Sequence, residues 1–288
     1  MKHLNTFITE YIIKKKLDKP IDSEDHYEYF PKTKNDLIYN INNLVKQDIY
    51  DFNCIDTSEI TDMSKLFSDN IFYNMIFDVS GWNVSNVENM QDMFQNCKEF
   101  NCDLSKWNVS NVINMYNLFS NCESFEGKGL ENWNVSNVKD FTCMFFECKN
   151  FDCDLSKWNI HNATSTYGLF FNCKNFKGKG LENWDVSNVT NMSNMFSYCT
   201  NLNCNLSKLK VSSNVTDTSG MFRNCINFDS DLSNWDVSNV KYMEEMFSNC
   251  SKFKGKGLEK WNTKNVTELW DIFKNCNSLK NKPSWYKE

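Results

Sequence analysis

Alanine and arginine are almost missing from this chain: Ala163 and Arg223 are the only examples among 288 residues. Proline occurs three times and histidine three times, as His3, His26 and His161. Without alanine, and with about 44 asparagines, a helical bundle is excluded, because alanine is the best helix former and asparagine a poor one. One arginine and a formal charge of −6 argue against phosphate or nucleic-acid binding. No run approaches the roughly 18 apolar residues of a membrane span. The start, MKHLNTFITEYIIKKKLDK, has no apolar core of a signal peptide and no cysteine of a lipobox. These absences predict a cytoplasmic or virion-associated protein with reduced thiols. Disorder is excluded in turn by 41% hydrophobic residues, with 23 Phe, 12 Met and 9 Trp.

What is present is a repeat. Anchors stand at Trp82, Trp107, Trp133, Trp158, Trp184, Leu209, Trp235 and Trp261, in steps of 25 or 26 residues. Twelve places on comes phenylalanine (Phe94, Phe119, Phe145, Phe170, Phe196, Phe222, Phe247, Phe273), and three further a cysteine, from Cys97 to Cys276. Four places after each anchor is asparagine, from Asn86 to Asn265; the Leu209 unit carries one extra serine in VSSNV. The stretch from Ile55 to Phe67 fits the same template as a degenerate first unit.

A period of 25 is too short for a helix pair or a propeller blade and suits one coil of a leucine-rich-repeat-like solenoid. WNVSNV alternates like a short parallel strand, and VxNMxxMF places apolar residues every three, like a helical or 3-10 turn. The expected architecture is about nine such coils over residues 51–283. Residues 1–50 read as a helical N-terminal cap or attachment segment, with helices near Leu4–Leu17 and Lys34–Lys46, and residues 284–288 as a tail. VTNMSNMFSYCTNL (Val189 to Leu202) resembles the BspA-like leucine-rich repeats, which read V-x-x-I … A-F-x-x-C-x-x-L. The DLSxWxVSNVxxM pattern is similar to the repeats named after mycoplasma and Listeria surface lipoproteins. The resemblance implies a leucine-rich-repeat-like solenoid with protein-binding or adhesive roles, in a class that also occurs in phages and large viruses.

Chemistry has few players. The cysteine column reads as small buried apolar residues, with thiol-redox or metal binding as the alternative; Cys97/Cys102, Cys148/Cys153 and Cys199/Cys204 are spaced C-x₄-C rather than as a clustered zinc site. Three GKG turns, at Gly127, Gly178 and Gly255, read as positive-φ turns, or as a line of lysines with amide nests for an anion. Neither a catalytic constellation nor a cofactor motif appears, so the chain reads as a non-enzymatic module that needs no cofactor or metal. The alternative is a structural part of a viral or phage particle. With the anchors pointing inward, the candidate binding surface is Asn108, Ser110, Asn134, Ser136, Asn159, His161, Asp185, Ser187, Lys210 and Asp236, facing a protein partner.

Overall fold

A computed structural model describes residues 27–287; the helix expected at Leu4–Leu17 lies outside them. Helix α1 (Lys34–Val45) opens on a capping box, in which the Thr33 hydroxyl accepts from the Asp36 amide and the Asp36 carboxylate accepts from the Thr33 amide. Its buried Leu37, Ile41 and Leu44, spaced four and three apart, join one core cluster that runs on through Cys276.

Beyond α1 each unit lies against the next. Single parallel bridges join Asp62 to Asn89, Asn89 to Asn114, and so on to Tyr242 and Glu268. From each bridge a ladder continues through alternate residues. The amides of Met90, Asp92, Phe94 and Asn96 donate to the carbonyls of Asn114, Tyr116, Leu118 and Ser120 in the next coil, at 2.8–3.0 Å.

The local conformations differ from those expected. The strand assigned to WNVSNV is a turn: Asn83 Oδ1 accepts from the Ser85 amide at 3.1 Å, and the Val87 amide donates to the Val84 carbonyl at 3.0 Å. An Asx side chain that binds the backbone two residues on competes with strand pairing, so the bridge falls seven residues past the anchor instead. VxNMxxMF in turn carries the ladder, through two residues of positive φ, such as Asp92 at 55° and Asn96 at 66°. The left-handed region favours Gly, Asn and Asp. The second such place is Asn96, Asn121, Asn172, Asn224, Asn249 and Asn275 in six coils, which accounts for part of the asparagine excess. The 3-10 turns sit elsewhere, at Asn70–Phe72 in the first coil and, after the GKG turns, at Leu130–Asn132, Leu181–Asn183 and Leu258–Lys260.

Inside, identical residues form columns. The phenylalanines from Phe67 to Phe273 stack 5.4–5.9 Å apart and within 12° of parallel. Each anchor indole donates to a carbonyl about 28 residues earlier, as Trp158 does to Leu130 at 2.8 Å. Trp285 takes the next anchor place, 6.2 Å from Trp261 and bonded to the Leu258 carbonyl at 2.7 Å. A buried indole N–H without a partner costs about 1–3 kcal/mol, so this repeated donation holds register as well as area.

The GKG turns need glycine. Gly180 has φ 93°, and a Cβ there would stand 2.1 Å from the Ser156 amide nitrogen of the preceding coil. Gly180→Ala is therefore expected to lower stability by at least about 2 kcal/mol, from backbone strain and the forced separation of two coils. Urea denaturation followed by circular dichroism measures it, and an unchanged midpoint would refute the close approach.

Candidate interaction surface

The outward line lies immediately beside the anchors. Trp and the next-but-one Val or Ile are buried in every coil that has them, leaving the places between and after them outside. Asn108, Asn134, Asn159, Asp185, Lys210 and Asp236 are exposed, while Ser110, Ser136 and Ser187 are half-buried and His161 is exposed. Adjacent coils therefore bring these ten residues into one row, with much of their polarity already used. Asn108, Asn134, Asn159, Asp185 and Asp236 each accept the amide two residues on, at 3.0–3.2 Å. The carbonyls of Ser110, Ser136, His161 and Ser187 accept from the repeat asparagines Asn137, Asn162, Asn188 and Asn214 of the next coil at 2.7–2.8 Å. That asparagine column thus ties each coil to its predecessor.

Two places on the row carry individual chemistry. His161 Nδ1 lies 2.9 Å from Asp185 Oδ2, and hydrogen bonding from Ser187, with help from His161, holds the Asp185 carboxyl below its usual value. Lys210 makes no ion pair among the described residues. Both positions depart from the serine or asparagine of the other coils, so sequence alone marks them.

A second exposed strip, missed from the sequence, lies along the bridge column. Thr164, Thr190, Thr216 and Thr267 turn their hydroxyls onto the preceding coil's carbonyls at 3.2–3.3 Å. Asn214, Thr216, Asn239, Lys241, Tyr242 and Thr267 border a groove of about 660 Å³ there. Exposed Tyr167, Tyr242 and Trp270 stand on the same strip. The available signal is the variable position before each Met column, hidden because WNVSNV alternates like a strand while the bridge falls seven residues past the anchor.

The lysines of the GKG turns are not a free cationic edge. Lys128, Lys179 and Lys256 pair with Asp103, Asp154 and Asp231 of the preceding coil at 2.7, 2.7 and 2.9 Å. Their lysines and the Ser amides two residues on bring Asp103 and Asp154 to about 2. The turn carbonyls accept from the Leu104, Leu155 and Leu232 amides. These turns are clasps between coils.

The cysteine column is built into the same clasping. Each thiol donates to the carbonyl of the preceding coil's column phenylalanine, from Cys97 on Phe67 at 3.2 Å to Cys276 on Phe247 at 2.9 Å. Burial pushes these thiols far above their ordinary range, and even half-buried Cys54 and Cys143 are raised to about 11. A protonated, enclosed thiol is a poor nucleophile and a poor metal ligand. All thirteen cysteines are free, and among the described residues no three His, Cys, Asp or Glu side chains gather as a metal site. No helix of the described residues is long and apolar enough to cross a membrane.

A family model described as "Mycoplasma protein of unknown function, DUF285" matches the chain three times in overlapping stretches, residues 34–129, 107–180 and 164–286. Neither curated proteins nor solved structures match it.

Proposed function

The chain belongs to this repeat family, and on that premise we propose that it is a non-enzymatic protein-interaction module built as a leucine-rich-repeat-like solenoid of the BspA-like kind. One observation carries the reading: repeating polar groups, from indole and thiol to asparagine amide and Asp–Lys pair, are spent on holding coil to coil. A residue present in every coil for that purpose is unsuited to be a unique catalytic group. Variety is left to the outward row, where His161, Asp185, Lys210 and Asp236 interrupt the Asn/Ser pattern over four successive coils. A long, even row of parallel coils is the surface on which repeat proteins bind partners.

His161→Ser combined with Lys210→Asn, the residues most other coils carry at these places, tests this without setting a like charge against the turn-capping Asp185. The doubly substituted chain is expected to fold with an unchanged melting temperature and to lose at least about tenfold in affinity for a partner captured by the unsubstituted chain. Equal binding by both, or no captured partner at micromolar concentrations, would remove the reading.

A further inference from the structure

We infer that the stack is jointed between the Trp184 and Leu209 coils, so that it consists of two cooperative blocks hinged about a retained backbone ladder. Several kinds of bond between coils lapse together at this boundary. The indole column breaks, because Leu209 has no N–H for the Leu181 carbonyl, and the next indole bond, from Trp235 to Leu206, is the longest at 3.4 Å. The second phenylalanine column breaks as well, with Leu202 between Phe176 and Phe228. Across the preceding boundary, Trp158 stacks on Trp184 and Phe170 contacts both Trp184 and Phe196. Across the following one, Phe222 contacts Trp235 and Phe247, and Phe228 contacts Phe253. Between the Trp184 and Leu209 coils, Phe196 on Phe222 is the one ring-on-ring contact among the described residues, joined by Arg223 over Tyr198 at 5.7 Å.

The clasp is missing too. The Leu209 coil has no GKG turn, so Leu206 donates to the Ser230 hydroxyl rather than to a turn carbonyl, and Asn205 stands where the Trp82, Trp133 and Leu209 coils place Asp103, Asp154 and Asp231, each paired with the lysine of a following GKG turn. No ion pair crosses this boundary among the described residues, whereas His161–Asp185 spans the boundary before it, and Lys254–Asp229 and Lys256–Asp231 span the one after. A groove of about 500 Å³ opens where the clasp would sit, bordered by Asn203, Cys204, Ser207, Ser230, Asp231 and Lys256. On the opposite wall the ladder is complete. Met192, Asn194, Phe196 and Tyr198 donate to Asp217, Ser219, Met221 and Arg223 at 2.6–2.9 Å, and Cys225 still bonds to Phe196. One wall attached and one wall unclasped is the construction of a hinge. In a stack whose stability is the sum of neighbour terms, the weakest interface divides the cooperative units.

The native cysteines report both blocks. At each urea concentration the chain is given a short pulse of alkylating reagent, and labelling at each cysteine is mapped by mass spectrometry. Cys97, Cys122, Cys148, Cys173 and Cys199 are expected to share one midpoint and Cys225, Cys250 and Cys276 another, separated by about 0.5 M urea or more. Restoring the indole with Leu209→Trp is expected to narrow that gap. One common midpoint for all eight cysteines, or a division at another boundary, would overturn the joint, as would a gap that a folded Leu209→Trp chain leaves unchanged. If Leu209→Trp overfills its place and does not fold, the labelling map of the unsubstituted chain decides alone.

Discussion

Raising the pH from 9 to about 10.5 is expected to unfold this protein without heat or denaturant. The eight column thiols, Cys97 to Cys276, are buried and held protonated, with burial as the leading cause and even Cys276, at the last coil, raised to about 11. In the unfolded chain the same thiols ionise near their ordinary value of about 8.5–9. A folded-state value above the unfolded one means that the stabilisation is complete below about pH 9 and drains away as pH rises. Above that point each buried thiol withdraws about 1.4 kcal/mol per pH unit, so one unit costs about 11 kcal/mol over eight thiols. That matches the whole stability of an ordinary domain, about 5–15 kcal/mol. The far-ultraviolet signal and the thiolate absorbance near 240 nm should change together, more steeply than a one-proton titration. Thiolate appearing near pH 9 in a chain that keeps its structure would sink the prediction.

Phe170→Ala is expected to cost about 3–5 kcal/mol, the usual range for removing a fully enclosed ring. Phe170 is wholly buried, between Phe145 at 5.6 Å and Phe196 at 5.7 Å, with Phe176 only 4.2 Å away and Trp184 tilted beside it. Neighbouring columns are equally filled, so the vacated volume has little to collapse into it. Phe273→Ala is the comparison. That ring has a column neighbour on one side, Phe247, and is 6% exposed, so its loss is expected to be clearly smaller. Equal losses in urea denaturation would mean that the column does not act as a stack.

Much of this arrangement is legible in the order of residues, and the reasons are local. A column of identical residues every 25 or 26 places announces that each faces its own copy, so the inward Trp, Val, Met, Phe and Cys could be named without coordinates. The asparagine four places after each anchor was legible as a column for the same reason, whereas its partner, a carbonyl of the preceding coil, was decided by the structure. The position of the bridges was not. WNVSNV alternates apolar and polar residues, but an Asx turn gives that alternation as readily as a strand does, and only the bond that the Ser85 amide donates to Asn83 Oδ1 decides between them. The candidate row was placed on the correct outer side because burial follows the anchors whether the backbone between them is strand or turn.

Period, inward columns, membership of a repeat class and the outlying character of His161, Lys210 and the Leu209 coil are properties of the sequence by itself, because repetition in register is visible along one dimension. The tertiary structure alone decided which groups meet. Lys128 finds Asp103, Lys179 finds Asp154, and Cys199 finds the Phe170 carbonyl because coils stack with a shift of one period, bringing together atoms 25 to 29 residues apart. It alone also decided that the lysines are clasps rather than an anion site, and that Leu206 meets the Ser230 hydroxyl instead of a turn carbonyl. Those outcomes depend on distances between coils, which no pattern along the chain contains.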